Sequence, residues 1–213
     1  MRAENILEIG PGTGIFAKKW ISTYPGSKYY AVETDSSCYP SLKQIGVNIA
    51  KASEVEELGK QFDLVIMSHV LEHVSKPIEF ISESTEFLKK DGVVFIEVPC
   101  NDWQHKPEDE PHLLFFHKKP MKQFMESLGF TNIQLTYHGN SIDEMKSGKY
   151  SWSFRKFVYN GLIKRGRYRL ASYLYNGDSR HLNYIEKAVM FPFNAHSTSS
   201  EPAWWLRVVA QKG

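Results

Sequence analysis

The chain alternates short apolar runs with amphipathic stretches, from Ile6-Leu7-Glu8-Ile9 near its start to Ala203-Trp204-Trp205-Leu206-Arg207-Val208-Val209-Ala210 near its end. Apolar runs of about four to eight residues suit strands buried on both faces, and apolar positions three and four apart suit helices. The pattern predicts strands at 5–9, 28–33, 47–50, 62–67, 92–98 and 131–138, helices near 13–23, 36–45, 77–89 and 120–128, and a final strand over 203–210. Such alternation implies right-handed crossovers and a parallel sheet with helices on both faces. Ligands of these sheets lie beyond the strand C-termini, which places Gly10 to Gly14, Glu33, Ala52, Ser53, Ser68 and Pro99 around one crevice.

The first strand breaks into Gly10-Pro11-Gly12-Thr13-Gly14 and then into a helical stretch carrying Ile15, Phe16 and Trp20. Glycines there let a ligand approach the backbone. A dinucleotide fingerprint needs the spacing G-x-G-x-x-G, whereas here it is G-x-G-x-G and Ile15 stands where the third glycine would be. Glu8, aimed into the turn, would repel a pyrophosphate but suits an ammonium or sulfonium charge. Glu33 sits about 20 residues beyond the turn, where an acid accepts both ribose hydroxyls. A nucleoside bearing positive charge and no phosphate fits all three facts.

At these residues the chain resembles the class I S-adenosylmethionine-dependent methyltransferases. Leu7 to Gly14 is similar to that family's first motif and Val32-Glu33-Thr34-Asp35 to its second. Phe62 to Val74, including Ser68-His69-Val70-Leu71-Glu72-His73, resembles the fourth strand and following turn of the small-molecule branch. Leu88 to Pro99 resembles the helix end, turn and fifth strand. Pro111-His112-Leu113-Leu114-Phe115-Phe116 and Leu128-Gly129-Phe130 resemble a stretch common among methyltransferases of sugar and cell-surface glycan pathways. The resemblance implies an α/β, Rossmann-like, seven-stranded, mostly parallel sheet with helices on both faces and an antiparallel final strand. It also implies S-adenosyl-L-methionine as cofactor and S-adenosyl-L-homocysteine as product.

The 213 residues, 42% of them hydrophobic, suffice for one well-cored domain, so 1–213 is read as a single domain with a helical insertion at about 139–200. Cys38 and Cys100 lack paired spacing, which argues for a reducing compartment and against a disulfide framework or zinc cluster. No apolar segment approaches the roughly 18 residues that span a bilayer, and a signal-peptide pattern is lacking. The expectation is a cytoplasmic protein with peripheral membrane contact left open. The family usually carries helices ahead of the first strand that cover the cofactor. Here that strand begins almost at Met1, so either the chain is part of a longer protein or the lid comes from elsewhere, the insertion being the candidate.

Net charge is only +2, so its distribution matters more than its sum. Within the insertion, Lys149, Arg155, Lys156, Lys164, Arg165, Arg167, Arg169 and Arg180 interleave with Tyr150, Trp152, Phe154, Phe157, Tyr159, Tyr168, Tyr173 and Tyr175, and Asp178 is the only acid between 150 and 185. Basic residues beside aromatics hold phosphates while stacking on a base or sugar, which would suit a nucleotide sugar, a phosphorylated glycan or nucleic acid. Equally, the stretch reads as amphipathic helices with solvated basic faces.

Methyl transfer asks mainly for alignment, with a base to take the acceptor's proton. His112 is the preferred candidate, with His69 and His73 beside the fourth strand as others. His69, Glu72 and His73, read as one helical turn, also invite a divalent metal, as in relatives with a Glu-x-x-Glu-His pattern; His69 in place of the first Glu would shift preference toward zinc-like ions. The alternative is a structural turn without metal, and no metal is assigned. For the cofactor, Glu33 is expected to hold the ribose, Gly10 and Gly12 to let the methionine part approach, Glu8 to face its amino group and Ala52 and Ser53 to border the adenine. Pro11, Gly14, Thr34 and Ser68 are further cofactor-binding candidates. The acceptor is read as a hydroxyl, or an amine, on a sugar nucleotide or cell-surface glycan precursor. The rivals are an RNA or tRNA methyltransferase and a non-catalytic scaffold that keeps the fold.

Overall fold

The computed structural model describes residues 3–51, 54, 55, 62–100, 113–141, 157, 158, 160–162, 164–167, 170, 197–199 and 203–213. The chain divides into two compact units. One comprises Met1–Asn101, His105–Leu135 and Leu206–Gly213, and the other Asp102–Gln104 and Thr136–Trp205.

The first unit is built on parallel strands β1 (Asn5–Ile9), β2 (Lys28–Val32), β3 (Asn48–Ala50), β4 (Phe62–Ser68) and β5 (Leu88–Pro99). β1 pairs with β2 and β4, β2 with β3, and β4 with β5, all in parallel. Ile6, Leu7, Val65, Ile66 and Met67 are 1% exposed or less, as central strands covered on both faces require. With β6 (Phe130–Ser141), β7 (Ser197–Ser199) and β8 (Ala203–Lys212), the sheet order is β3-β2-β1-β4-β5-β8-β6-β7. The expected mostly parallel sheet with antiparallel final strands is therefore present, and a short β7 adds an eighth strand.

Helix α1 (Ile15–Thr23) begins two residues later than the pattern predicts, because the turn closes first: the Gly14 N–H donates to the Pro11 carbonyl at 3.0 Å. The predicted helix at 36–45 divides into a 3₁₀ turn, Ser36–Cys38, and α2 (Tyr39–Ile45), whose first turn accommodates Pro40. Helix α3 (Pro77–Glu86) is shorter than predicted because β5 starts at Leu88, and the Lys212 ammonium caps the helix end on the carbonyls of Thr85, Glu86 and Leu88. Asp91-Gly92 therefore sits inside β5. Asp91 takes φ 63°, and the β4–β5 register shifts between Phe62 and Leu64. Helix α4 (Lys118–Ser127) buries Met121 and Met125.

One core lies between α1, α2 and the sheet, where Ile6, Ala17, Tyr29, Ala31, Leu42, Leu64 and Ile66 cluster and Trp20, Ile21 and Phe95 close it off. In the second unit the C-terminal half of β6 pairs antiparallel with β7 through Tyr137↔Ser199, His138↔Thr198 and Gly139↔Ser197. Helical residues occur in the predicted insertion at 157, 158, 160–162 and 164. Most of 139–200 lies outside the described residues.

Candidate functional site

The glycine turn leaves β1 with three consecutive left-handed glycines at alternate positions: Gly10 at φ 67°, Gly12 at 55° and Gly14 at 81°. Their surroundings differ. A Cβ on Gly10 would lie 2.8 Å from the Val70 Cγ2, and one on Gly14 2.8 Å from both the Ile45 Cδ1 and the Leu42 Cδ2. A Cβ on Gly12 would meet nothing within 4 Å. Gly14 thus serves helix packing, Gly10 the approach of Val70, and Gly12 stands open to the crevice.

Glu33, just past β2, faces this turn. Its Oε2 accepts the Gly12 N–H at 2.8 Å and its Oε1 accepts the Asp35 N–H at 2.8 Å. Each carboxylate oxygen keeps a further lone pair for a ligand hydroxyl. Thr34 is exposed beside it. Glu8 is buried, and its Oε2 accepts the Tyr29 hydroxyl at 2.7 Å. Burial pushes the Glu8 carboxyl up to about 7; the Tyr29 hydrogen bond opposes that rise and the nearby charge of Glu33 adds to it. The predicted site residues Ala52, Ser53 and His112 lie outside the described residues.

At the C-terminal ends of β4 and β5 a charged cluster closes the other side of the crevice. His69 does not share a helical turn with Glu72 and His73: it takes φ 57° ahead of a 3₁₀ turn, Leu71–His73. Its Nδ1 lies 3.3 Å from the Glu72 Oε1 and its Nε2 3.4 Å from the Glu97 Oε1. Burial disfavours charge on His69, but hydrogen bonds to Glu72 and Glu97 outweigh it and hold the ring's pKa up to about 9. An imidazole donating from both nitrogens has no lone pair left to take a proton. Glu97 also accepts the Ser68 hydroxyl at 3.3 Å and, on its Oε2, a short hydrogen bond from the Arg207 Nε. Burial opposes ionisation of Glu97, and His69 and Arg207 overcome it, bringing the carboxyl down to about 2. Glu72 is fully buried, and among the described residues its Oε2 has no hydrogen-bond partner. The Glu72 carbonyl accepts the Leu113 N–H at 2.8 Å, which fixes the start of the segment after His112. His73 is exposed. Among the described residues, no group of three or more His, Cys, Asp or Glu side chains is arranged to hold a metal ion.

The structure thus brings together the glycine turn, Glu33, Glu8, Ser68, His69 and Glu72. It adds Tyr29, Glu97 and Arg207, which carry no local motif. A cleft of about 360 Å³ lined by Ala3, Asn5, Tyr24 and Lys28 lies at the N-terminal ends of β1 and β2. That is the wrong end of the sheet for a ligand of this fold.

The glycine turn, the acid after β2 and the sheet order define the class I methyltransferase architecture. The methyltransferase-domain family matches residues 2–135, more than half of the chain, and the chain belongs to that family. Its class is that of the S-adenosylmethionine-dependent methyltransferases. A relative, malonyl-(acyl-carrier protein) O-methyltransferase of Halalkalibacterium halodurans, is 25% identical over an alignment 99 positions long that covers 42% of this chain and 36% of that protein. The chain therefore spans about a third of the length of that curated relative. Among solved structures, a SAM-dependent methyltransferase from Archaeoglobus fulgidus superposes with a TM-score of 0.59 at 18% identity, over 98% of this chain and 86% of that one. Phosphoethanolamine N-methyltransferase 2 of Haemonchus contortus, in complex with S-adenosyl-L-methionine, gives 0.55 at 14% identity over 98% of this chain and 48% of that one. At these identities the structural likeness concerns the fold.

Proposed function

We propose that the chain transfers a methyl group from S-adenosyl-L-methionine to a hydroxyl, or an amine, of a small molecule. The observation that carries this reading is Gly12, left-handed and open, hydrogen-bonded to Glu33 at the mouth of the crevice. These residues fit the cofactor: a backbone bare of Cβ at the turn, carboxylate lone pairs for ribose hydroxyls, and acids at Glu8 and Glu33 in place of the cations a phosphate would need. Gly10, Pro11 and Gly12 would border the methionine part, Glu33 the ribose and Ala52 and Ser53 the adenine, with Thr34 and Ser68 nearby, while Gly14 shapes the turn from its packing side.

When bound, the cofactor supplies a methyl group already activated on a sulfonium, so that alignment contributes much of the rate. The chain's share is to seat it, to exclude water and to receive the proton that a hydroxyl loses as it attacks. His112 is our candidate base, with its neighbour Leu113 anchored on Glu72. His69, held as a cation between two carboxylates, serves the electrostatics of the crevice instead, and exposed His73 is a secondary candidate.

For the acceptor we favour a sugar nucleotide or glycan precursor, on the resemblance of the 111–116 and 128–130 segments and on the basic, aromatic composition of 149–180. Among the described residues no helix is long and apolar enough to cross a membrane. The chain's two cysteines, Cys38 and Cys100, have no paired spacing, and on that ground the setting we favour is reducing and cytoplasmic.

The test is calorimetric binding of S-adenosylmethionine and S-adenosylhomocysteine by the parent and by Glu33→Ala. The expected result is micromolar binding that the variant loses. A parent that binds neither compound rules the reading out, and salt-sensitive RNA binding by that parent would favour the nucleic-acid alternative.

A further inference from the structure

The crevice wall opposite Glu33 is the turn after β4, and nothing local in its sequence explains its shape. His69 adopts φ 57°, a left-handed conformation taken by only a few per cent of non-glycine residues, histidine being among those that enter it more readily. The next residue, Val70, packs against the bare face of Gly10 so closely that a methyl there would stand 2.8 Å from its Cγ2. The position of His69 therefore fixes how Val70 meets the glycine turn.

Among the described residues, Glu97 and Glu72 hold His69 there. Its backbone N–H donates to the Glu97 carbonyl at 3.0 Å, its Nε2 lies on the Glu97 carboxylate, and its Nδ1 lies on Glu72. Glu97 depends in turn on a residue 110 positions away, because its second oxygen accepts the Arg207 Nε. Arg207 is itself fixed by its guanidinium lying 5.9 Å from the centre of the Phe95 ring. Phe95 stacks on Phe16 of α1, the helix that the glycine turn leads into. The chain of contact thus runs from the last strand through Glu97 to the turn that touches Gly10.

We infer that Arg207 and Glu97 are positioning residues of the cofactor crevice: by clamping His69 in its left-handed conformation they set Val70 against Gly10 and so set the wall of the cofactor site. A single buried carboxylate that satisfies Ser68, His69 and Arg207 is rigid only while all three donors are present. Without Arg207, Glu97 keeps a buried charge balanced by His69 alone and the ring is drawn from Glu72. The inference rests on the cofactor reading given above.

The experiment is calorimetric binding of S-adenosylhomocysteine by the parent, Arg207→Met, Arg207→Lys and Glu97→Gln, with thermal unfolding recorded for each. Arg207→Met and Glu97→Gln are each expected to weaken binding by about tenfold, as small displacements in a preorganised site do. Arg207→Lys, which restores a cation to Glu97, is expected to recover most of that loss. The double variant Arg207→Met/Glu97→Gln should be no weaker than either single variant, since both act through one contact. Equal affinity in parent and Arg207→Met, or a lysine variant as weak as the methionine one, overturns the inference. Should Arg207→Met not fold, an unchanged affinity in Glu97→Gln overturns it by itself. A parent that binds no S-adenosylhomocysteine overturns the cofactor reading, an outcome distinct from a parent that binds and variants that match it.

Discussion

The Tyr29 hydroxyl, on β2, donates to the Glu8 carboxylate, on neighbouring β1, at 2.7 Å in the buried floor beneath the glycine turn. Burial of Glu8, which the Tyr29 hydrogen bond only partly offsets, makes the fold's stability fall as pH rises from about 4.5 to about 7. Glu8 holds its proton up to about 7 in the folded chain, against an ordinary 4.5. A raised acid pKa means that the folded state binds the proton more tightly, so its contribution is complete below the unfolded value and is lost as pH rises through the folded one. The span corresponds to about 3 kcal/mol between pH 4.5 and pH 7. Glu8→Gln keeps an acceptor for Tyr29 and should remove this fall. Urea unfolding at pH 5 and pH 8 should show the variant gaining on the parent at the higher pH; an equal difference at both would contradict the assignment.

The same pair bears on the ligand. A cation at the turn favours ionised Glu8, so affinity for S-adenosylmethionine should rise as pH passes from 6 to 8, while Glu8→Gln binds more weakly with a flatter profile. Calorimetry in two buffers of different ionisation enthalpy would reveal the proton released by the parent on binding. Absence of proton release at pH 6.5 would mean that Glu8 does not sense the ligand.

The parallel core was legible because its strands are buried on both faces and appear as uninterrupted apolar runs, and the meeting of the glycine turn with Glu33 was legible because they follow directly after β1 and β2. Features set by distant partners left no such trace. Helix α3 ends where Lys212 meets its carbonyls, and the polar Ser197-Thr198-Ser199 strand has no apolar period to reveal it. Glu97 and Arg207 meet across 110 residues, and each taken alone reads as an ordinary charge in a strand. His69 was legible as a chemical group but not as a conformation, since its left-handed backbone comes with contacts to Glu72 and to Glu97, 28 residues away, that no local pattern announces.

The glycines of the turn should separate by experiment into one that serves the ligand and one that serves packing. Gly12→Ala puts a methyl into open space and costs only the left-handed backbone, about 1–2 kcal/mol, while intruding where the cofactor is proposed to lie. Gly14→Ala carries the same backbone penalty and adds a clash with Leu42 and Ile45 at 2.8 Å. Gly12→Ala should therefore stay folded and lose S-adenosylhomocysteine binding, whereas Gly14→Ala should show the larger drop in thermal stability. The reverse order in either measurement would place the ligand elsewhere.

Lys212 offers a test of how the last strand supports the fold far from the crevice. Its ammonium donates to three carbonyls, of Thr85 at 2.9 Å and of Glu86 and Leu88 at 3.1 Å, at the junction of α3 and β5. A cation at a helix C-terminus satisfies carbonyls that have no partner in the helix and complements the dipole. Lys212→Met keeps the apolar stem and removes these bonds, so it should destabilise the fold by about 1–2 kcal/mol with no change in cofactor affinity. Denaturant unfolding and calorimetry on the same preparation check both halves. Weakened cofactor binding without loss of stability would show that the α3–β5 junction communicates with the crevice.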